Sequence, residues 1–452
     1  MQKLRGLADP ERWRPFMTRR YCTLYAGVLT LLVSGTLYGL SAYTPALKDQ
    51  LHFSQGEITL IATFGNIGLY VGFLMGKLYD TLGVKWTCAV AGTMVCSGYF
   101  CAWIVVAGHI DAGYWWLMAI FYLIIGQGNW GLYLATLTVN MRNFDKEDRG
   151  KVAGLLAAAF GLSSGMFTLI YAVFFSETDN VAGYILFTAI VVALAVIVAV
   201  LVMRPEVPVA PPAADPEKVA EEEEKISIIQ SRDEEVPGLG GKTEQPGTLA
   251  TLDFYLVFVP FIFAAGAGLL VINNLGEVVR SLDGGSLEKN LYVAGLSVLG
   301  CIGRFTVGSL SDRLVKKGVT RAYWLVLCLI MFAISHLAFW IFTERWMIPF
   351  VALITGLAYG GFFAVVPILI SLYFGFTHFG KNNSCAALAP AIGSFGFNNL
   401  ASMFYDRNKE GDAEHCFGGD CWSTIFMVTG FLCVVGAGIT FFLAWRRKHF
   451  LQ

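Results

Sequence analysis

Apolar runs of about 20 residues, each the length that crosses a bilayer core as one helix, recur along this chain from Tyr21 almost to its C-terminus. Nothing constrains its folding more. Hydrocarbon offers the backbone no hydrogen-bond partners, so a spanning segment must satisfy its own N–H and C=O groups, as a helix does. The chain therefore reads as an all-α integral membrane protein embedded in a lipid bilayer. Its composition agrees, because only 14% of the 452 residues are charged, against about 25% in soluble domains. The 35 Phe, 18 Tyr and 11 Trp suit rings that anchor at membrane interfaces.

Polar breaks divide the apolar runs into twelve spans, six within residues 21–203 and six within 251–446. Residues 1–20 and 447–452 form polar ends. Between the halves, residues 204–250 hold 11 acidic and 5 basic residues, a composition that cannot bury a core and reads as a disordered acidic linker. Twelve spans put both termini on one side. Outside the linker, the termini and the loops on that side carry 20 Lys and Arg, and the opposite loops carry 6. Such an excess marks the cytosolic side, so both termini and the linker are expected in the cytosol. No cleavable signal peptide is expected ahead of the first span, because the first twenty residues are polar.

Two short patterns recur about 230 residues apart, in matching spans of the two halves. Gly76-Lys77-Leu78-Tyr79-Asp80 pairs with Gly308-Ser309-Leu310-Ser311-Asp312, and Arg149-Gly150-Lys151 pairs with Phe379-Gly380-Lys381. Duplication of six spans is a recurrent plan of secondary transporters, with the solute site where the halves meet. Extended to Gly83 and Lys85, the first pattern resembles the cytosolic loop signature of the major facilitator superfamily. Thr81 stands where that signature has Arg, while the second copy keeps Arg313 after Asp312. Its Gly lets two helices approach closely, and its Asp caps a helix or pairs with an Arg. The resemblance implies the major facilitator fold, twelve transmembrane helices in two pseudo-symmetric six-helix halves. It also implies a conformational latch at Gly76, Asp80, Lys85, Gly308, Asp312 and Arg313.

A narrower resemblance lies in Val271-Ile272-Asn273-Asn274-Leu275-Gly276-Glu277, Gly303-Arg304-Phe305, His378-Phe379-Gly380-Lys381-Asn382, and Asn143-Phe144 with Arg149-Gly150. These look like the nodulin-like branch of the superfamily, which is similar to monocarboxylate transporters and their fungal homologues. The resemblance implies a secondary carrier of a small organic solute, by preference an organic anion such as a monocarboxylate. The chain departs from the animal monocarboxylate carriers at two places. Ala46, after Pro45, stands where they have Lys, and Gly300 stands where they have an Asp one turn before the Arg of the eighth span. Arg304 survives.

Arg304 is the clearest charge inside any span. Intramembrane charge costs about 2.5–3.5 kcal/mol on insertion scales, and a guanidinium fork suits a carboxylate or phosphate. Two readings stand: an anion-binding Arg facing the central cavity, or one that snorkels to the interface and latches another helix. No Asp or Glu occupies the middle third of a span. Glu277, near the outer end of the seventh with Arg280 one turn on, is the nearest candidate for coupling, and a uniporter, an exchanger or coupling through the solute's own proton is favoured. Spans one, four, seven and ten line the cavity in this superfamily, which implies substrate contacts from Tyr38, Gln127, Asn129, Tyr133, Asn273, Asn274 and Tyr359. Asn66 and Tyr70 share one face of the second span and join that set. Any of these residues also suits interhelical hydrogen bonding.

Most of the ten Cys sit in apolar runs as small hydrophobes. Cys416 and Cys421 are the exception, in a loop-like stretch on the extracytosolic side where a disulfide is expected. No metal site, cofactor, catalytic constellation or nucleic-acid partner is expected: no His and Cys have zinc-like spacing, and no hydrolase, P-loop or zincin motif occurs. His336 reads as a core histidine. The rival readings are a membrane solute sensor or receptor without net transport, and a carrier of a metal or metal chelate. The superfamily default is a monomer. Glu224-Lys225-Ile226-Ser227-Ile228-Ile229 loosely resembles an acidic dileucine-type sorting signal, leaving plasma membrane and vacuolar or lysosomal membrane equally open.

Overall fold

A computed structural model describes residues 10–53, 55–110, 114–145, 148–175, 180–205, 248–315, 317–408 and 416–450. The expected linker lies almost wholly outside them. In the first half the helices are α1 (Pro10–Ser34), α2 (Leu40–Leu51), α3 (Gln55–Tyr70), α4 (Phe73–Val106), α5 (Trp115–Asn143), α6 (Arg149–Phe174) and α7 (Val181–Val202). In the second they are α8 (Leu252–Ser281), α9 (Ser286–Val315), α10 (Ala322–Ile341), α11 (Met347–Phe374), α12 (Phe379–Ala386), α13 (Leu388–Arg407) and α14 (Asp420–Phe450). The described residues contain no strand. The first helix begins at Pro10, earlier than the apolar run suggests. Its hydrogen-bond ladder continues past the lipid edge, and proline is well suited to an opening position.

Nine helical runs among the described residues are long and apolar enough to cross a bilayer. One of them, Leu60–Val106, spans 47 residues, more than twice a single pass of about 20. It breaks at Gly83, where φ is +75° and ψ is −174°, a conformation open essentially to glycine alone. This is the second glycine of the loop signature, so that signature encodes a reversal between two passes. A Cβ at Gly83 would meet nothing within 4 Å. Gly83→Ala is therefore expected to cost about 1–3 kcal/mol through backbone strain alone, read as a lower melting temperature of the purified protein.

Close-packed seams inside the two halves repeat the duplication. A Cβ on Gly68 would lie closer than 3.0 Å to the Leu123 carbonyl oxygen, and one on Gly126 would meet that of Gly65. In the second half Gly303 stands in the same way against Leu357, and Gly360 against Gly300. Bare backbone is what lets α3 approach α5, and α9 approach α11. The register also shows where the copies differ. Gly68 and Gly303 are 235 apart, but Asp80 and Asp312 are 232 apart, so the first copy holds three more residues between seam and signature. They fall where α3 ends at Tyr70 and α4 begins at Phe73, whereas α9 runs unbroken.

Two more passes are interrupted. The first gives way to a 3-10 turn over Thr36–Gly39, and α12 hands over to α13 at Ala387. Pro390 lies in the first turn of α13, where proline is tolerated, so the break precedes the proline. Pro367 lies inside an unbroken α11.

Candidate functional site: a cleft and two seams between the halves

Asp80, in the loop signature just beyond the second pass, reaches across to the other half. Its carboxylate accepts the backbone N–H groups of Gly380 at 2.9 Å and Lys381 at 2.8 Å, in the first turn of α12. Asp312 does the same in the opposite direction. It accepts the N–H groups of Gly150 at 2.9 Å and Lys151 at 2.7 Å, in the first turn of α6. First-turn N–H groups have no intrahelical acceptor, and the helix dipole favours a negative charge there. Glycine is required at both points. A Cβ on Gly76 or Gly380 would collide with the other's carbonyl, and so would one on Gly308 or Gly150. The two patterns that the sequence repeats are thus each other's partners, first copy to second and second to first.

The seams differ in support. Arg321, with its side chain 3% exposed, donates to Asp312 at 2.7 Å, and Asp312 is 1% exposed. The latch residue expected from the sequence, Arg313, is exposed and takes no part in that ion pair. It directly follows Asp312 on the helix and faces another way. Lys85 is likewise exposed. At the Asp80 seam, Arg142 and Arg149 of the first half lie over the Phe376 ring of the second, at 5.5 and 4.8 Å. Arg142 also donates to the Phe376 carbonyl. Burial pushes the Asp80 carboxyl up from its usual value, while the N–H groups of Lys381 and Gly380 pull it back.

Beyond the Asp80 seam lies a narrow, partly open cleft. Tyr70, Trp130 and Tyr133 wall it on one side, and Phe261, Phe363 and Val366 on the other. Asn383, Ala386, Ala387 and Pro390 close it where α12 meets α13. Tyr70 stands at the other break, between α3 and α4. Interrupted helices of this kind are the usual pointers to a transport site. The Trp130 indole N–H donates to Ser384 Oγ at 3.0 Å, so one cleft wall is bonded to the opposite half.

Of the residues expected to contact solute, Tyr70 and Tyr133 line the cleft and the others do not. Arg304 lies at the join of α6 and α9. Its guanidinium packs against Gly161 and Gly300 and stands 5.9 Å from the Tyr359 ring. Among the described residues it has no carboxylate within ion-pair reach. Tyr359 in turn packs on Phe363 with ring centroids 4.5 Å apart and the planes tilted by 42°, which places Arg304 one ring behind the cleft wall. Gln127 serves the backbone nearby. Its amide donates to the Val71 carbonyl at 2.6 Å, which the helix break leaves without a helical partner. Asn129 is fully buried inside the first half with both amide atoms unpartnered among the described residues. Asn274 bonds Asn398 at 2.7 Å, joining α8 to α13. Asn66 and Asn273 are exposed, and the Tyr38 side chain lies outside the described residues. Glu277 is exposed and 3.9 Å from Arg280. Cys416 and Cys421 form a disulfide. His336 is buried, with Nδ1 2.7 Å from Thr429 Oγ1.

Two family profiles cover nearly all of the chain. One described as Nodulin-like matches residues 20–230, and one described as the NFD4 C-terminal domain matches 244–452. This chain belongs to the nodulin-like branch of the major facilitator superfamily. It is 25% identical over 444 residues to a probable transporter, MCH1, of Wickerhamomyces anomalus, covering 94% of this chain and 87% of the relative. An uncharacterized MFS-type transporter of Escherichia coli, YhjX, is 24% identical, with 84% and 87% covered. Solved structures show the same fold at low identity. The proton:xylose symporter XylE, bound to 6-bromo-6-deoxy-D-glucose, superposes with a TM-score of 0.70 at 14% identity, covering 93% and 95%. The human organic anion transporter MFSD10 gives 0.65 at 14%, covering 93% and 99%. The nodulin-like chain is accordingly a secondary transporter and a multi-pass membrane protein.

Proposed function

We propose that this protein carries a small organic anion, such as a monocarboxylate, by alternating access across twelve passes with both termini cytosolic. One observation carries the reading of the anion. Arg304 is a charge inside the membrane, at the join of the two halves, with no carboxylate partner among the described residues. A charge there is costly, and a bidentate guanidinium is suited to neutralisation by a carboxylate that comes and goes. A human structural neighbour, MFSD10, is an organic anion transporter, which is consistent with this. The cleft lies between the halves. The Asp80 and Asp312 seams close the end that the positive-inside pattern assigns to the cytosol, so the structure corresponds to the state sealed toward the cytosol. Glu277 sits in a surface ion pair, which favours uniport or exchange over a carboxylate relay.

Counterflow in proteoliposomes tests this and separates a carrier from a sensor. Vesicles loaded with an unlabelled organic acid are expected to accumulate the labelled acid transiently. Arg304→Gln is expected to lower that accumulation at least roughly tenfold, the worth of about 1.4 kcal/mol, with no change in melting temperature beyond a few degrees. Saturable binding without flux would identify a sensor instead.

A further inference from the structure

The walls of the cleft say more about the solute than its charge. Two aromatic ladders face each other there. In the first half, Trp130 lies 5.7 Å from Tyr133, and Tyr133 lies 4.9 Å from Phe160. In the second, Phe261 lies 5.2 Å from Phe363, and Phe363 lies 4.5 Å from Tyr359. Among the described residues lining the cleft none is charged, and Asn383 is the single amide. The Trp130 N–H is already held by Ser384, so this residue offers a solute its ring and not its donor. Such walls hold water poorly and recognise apolar faces. Arg304 stands behind them, 5.9 Å from the Tyr359 ring. A two- or three-carbon acid offers these rings little apolar surface of its own. An acid with a ring or a branched chain matches the apolar walls and still carries a carboxylate for Arg304.

We infer that the carried solute is an amphipathic organic acid. Its aromatic or branched aliphatic body stacks between the Trp130–Tyr133 and Phe363–Phe261 rings, with its carboxylate turned toward Arg304. This rests on the organic-anion reading above and narrows it. Because Trp130 also bonds the opposite half through Ser384, a solute stacked on that indole bears directly on a bond that must part when the cytosolic end opens.

Thermal-shift titration of the full-length purified protein tests the inference with four probes: acetate, lactate, phenylacetate and the neutral phenethyl alcohol. Phenylacetate is expected to bind at least roughly tenfold more tightly than acetate or lactate, because each buried methylene is worth roughly fourfold in affinity. Phe363→Leu, which removes the ring and keeps an apolar side chain, is expected to shrink that advantage to within about threefold. Should Phe363→Leu misfold, Tyr133→Leu on the opposite wall gives the same reading. Acetate or lactate binding as tightly as phenylacetate would overturn the aromatic cage and leave the anion carrier standing. Binding of phenethyl alcohol but of no acid would overturn the inference by removing the anion. No shift with any of the four would overturn it too.

Discussion

Replacing Asp312 with Ala is expected to destabilise the protein by about 3–5 kcal/mol, the cost of stranding one member of a buried ion pair. Arg321 would keep its charge at 3% side-chain exposure with this carboxylate gone, and the Gly150 and Lys151 N–H groups would lose their acceptor as well. For a half of about 200 residues this corresponds to a melting temperature lower by roughly 10 °C. The companion change Asp80→Ala removes acceptors from two N–H groups but strands no buried Arg, so about 1–3 kcal/mol is expected there. The asymmetry can be checked on a double variant. Asp312→Ala with Arg321→Leu is expected to recover most of the loss, because an apolar pair tolerates burial better than a buried charge that has lost its carboxylate. Equal melting temperatures for the two single variants would mean that other groups neutralise Arg321 and that the seam is held by its backbone contacts.

Replacing Gly308 with Val is expected to reduce transport at least roughly tenfold while leaving the fold intact. The added Cβ would overlap the carbonyl oxygen of Gly150 in the opposite half, a backbone atom that no rotamer change can move aside. Overpacking of this kind costs about 1–3 kcal/mol, and here it falls only on the state in which α6 and α9 meet. On the proposed alternating-access cycle the molecule escapes by parting its halves at that end, so the cost is expected as a population shift rather than as unfolding. Gly165, on the same helix as Gly150, provides the control. Its Cβ would meet nothing within 4 Å, and Gly165→Ala is expected to leave flux nearly unchanged.

Much of this architecture could be read from the sequence, for a physical reason. A membrane pass must be apolar for about 20 residues, so spans announce themselves, and duplication shows in the repeated Gly-x-Leu-x-Asp pattern. The latch was half legible. Asp80 and Asp312 stood out, but their partners are backbone N–H groups, which carry no side-chain signature. The signal that could have found them was the Gly-Lys pair repeated at the start of the sixth and twelfth helices. Arg313 was the natural ion-pair candidate by adjacency, yet the partner is Arg321, nine residues on and across a turn. Breaks in helices were harder. Hydropathy runs on through Val71 and Gly72, and only the mismatch between offsets of 235 and 232 marks the extra residues. Polar residues were the least legible, because an amide facing a cavity and one repairing a helix break look alike in sequence. Gln127 is the second kind, and Asn274 joins two helices. The aromatic walls passed as ordinary membrane rings because aromatics are abundant throughout the chain.

The most direct test of the gate is the distance between the two halves at the Asp80 and Asp312 end, measured by paired spin labels on the exposed residues Lys77 and Lys381 in liposomes. Two populations are expected. A short distance matches the sealed structure, and a longer one gains weight when Asp80 and Asp312 are both changed to Asn, or when Gly308→Val is introduced. A single short distance that none of these changes moves would contradict alternating access at this end, because the two seams would then be fixed joints and not a gate.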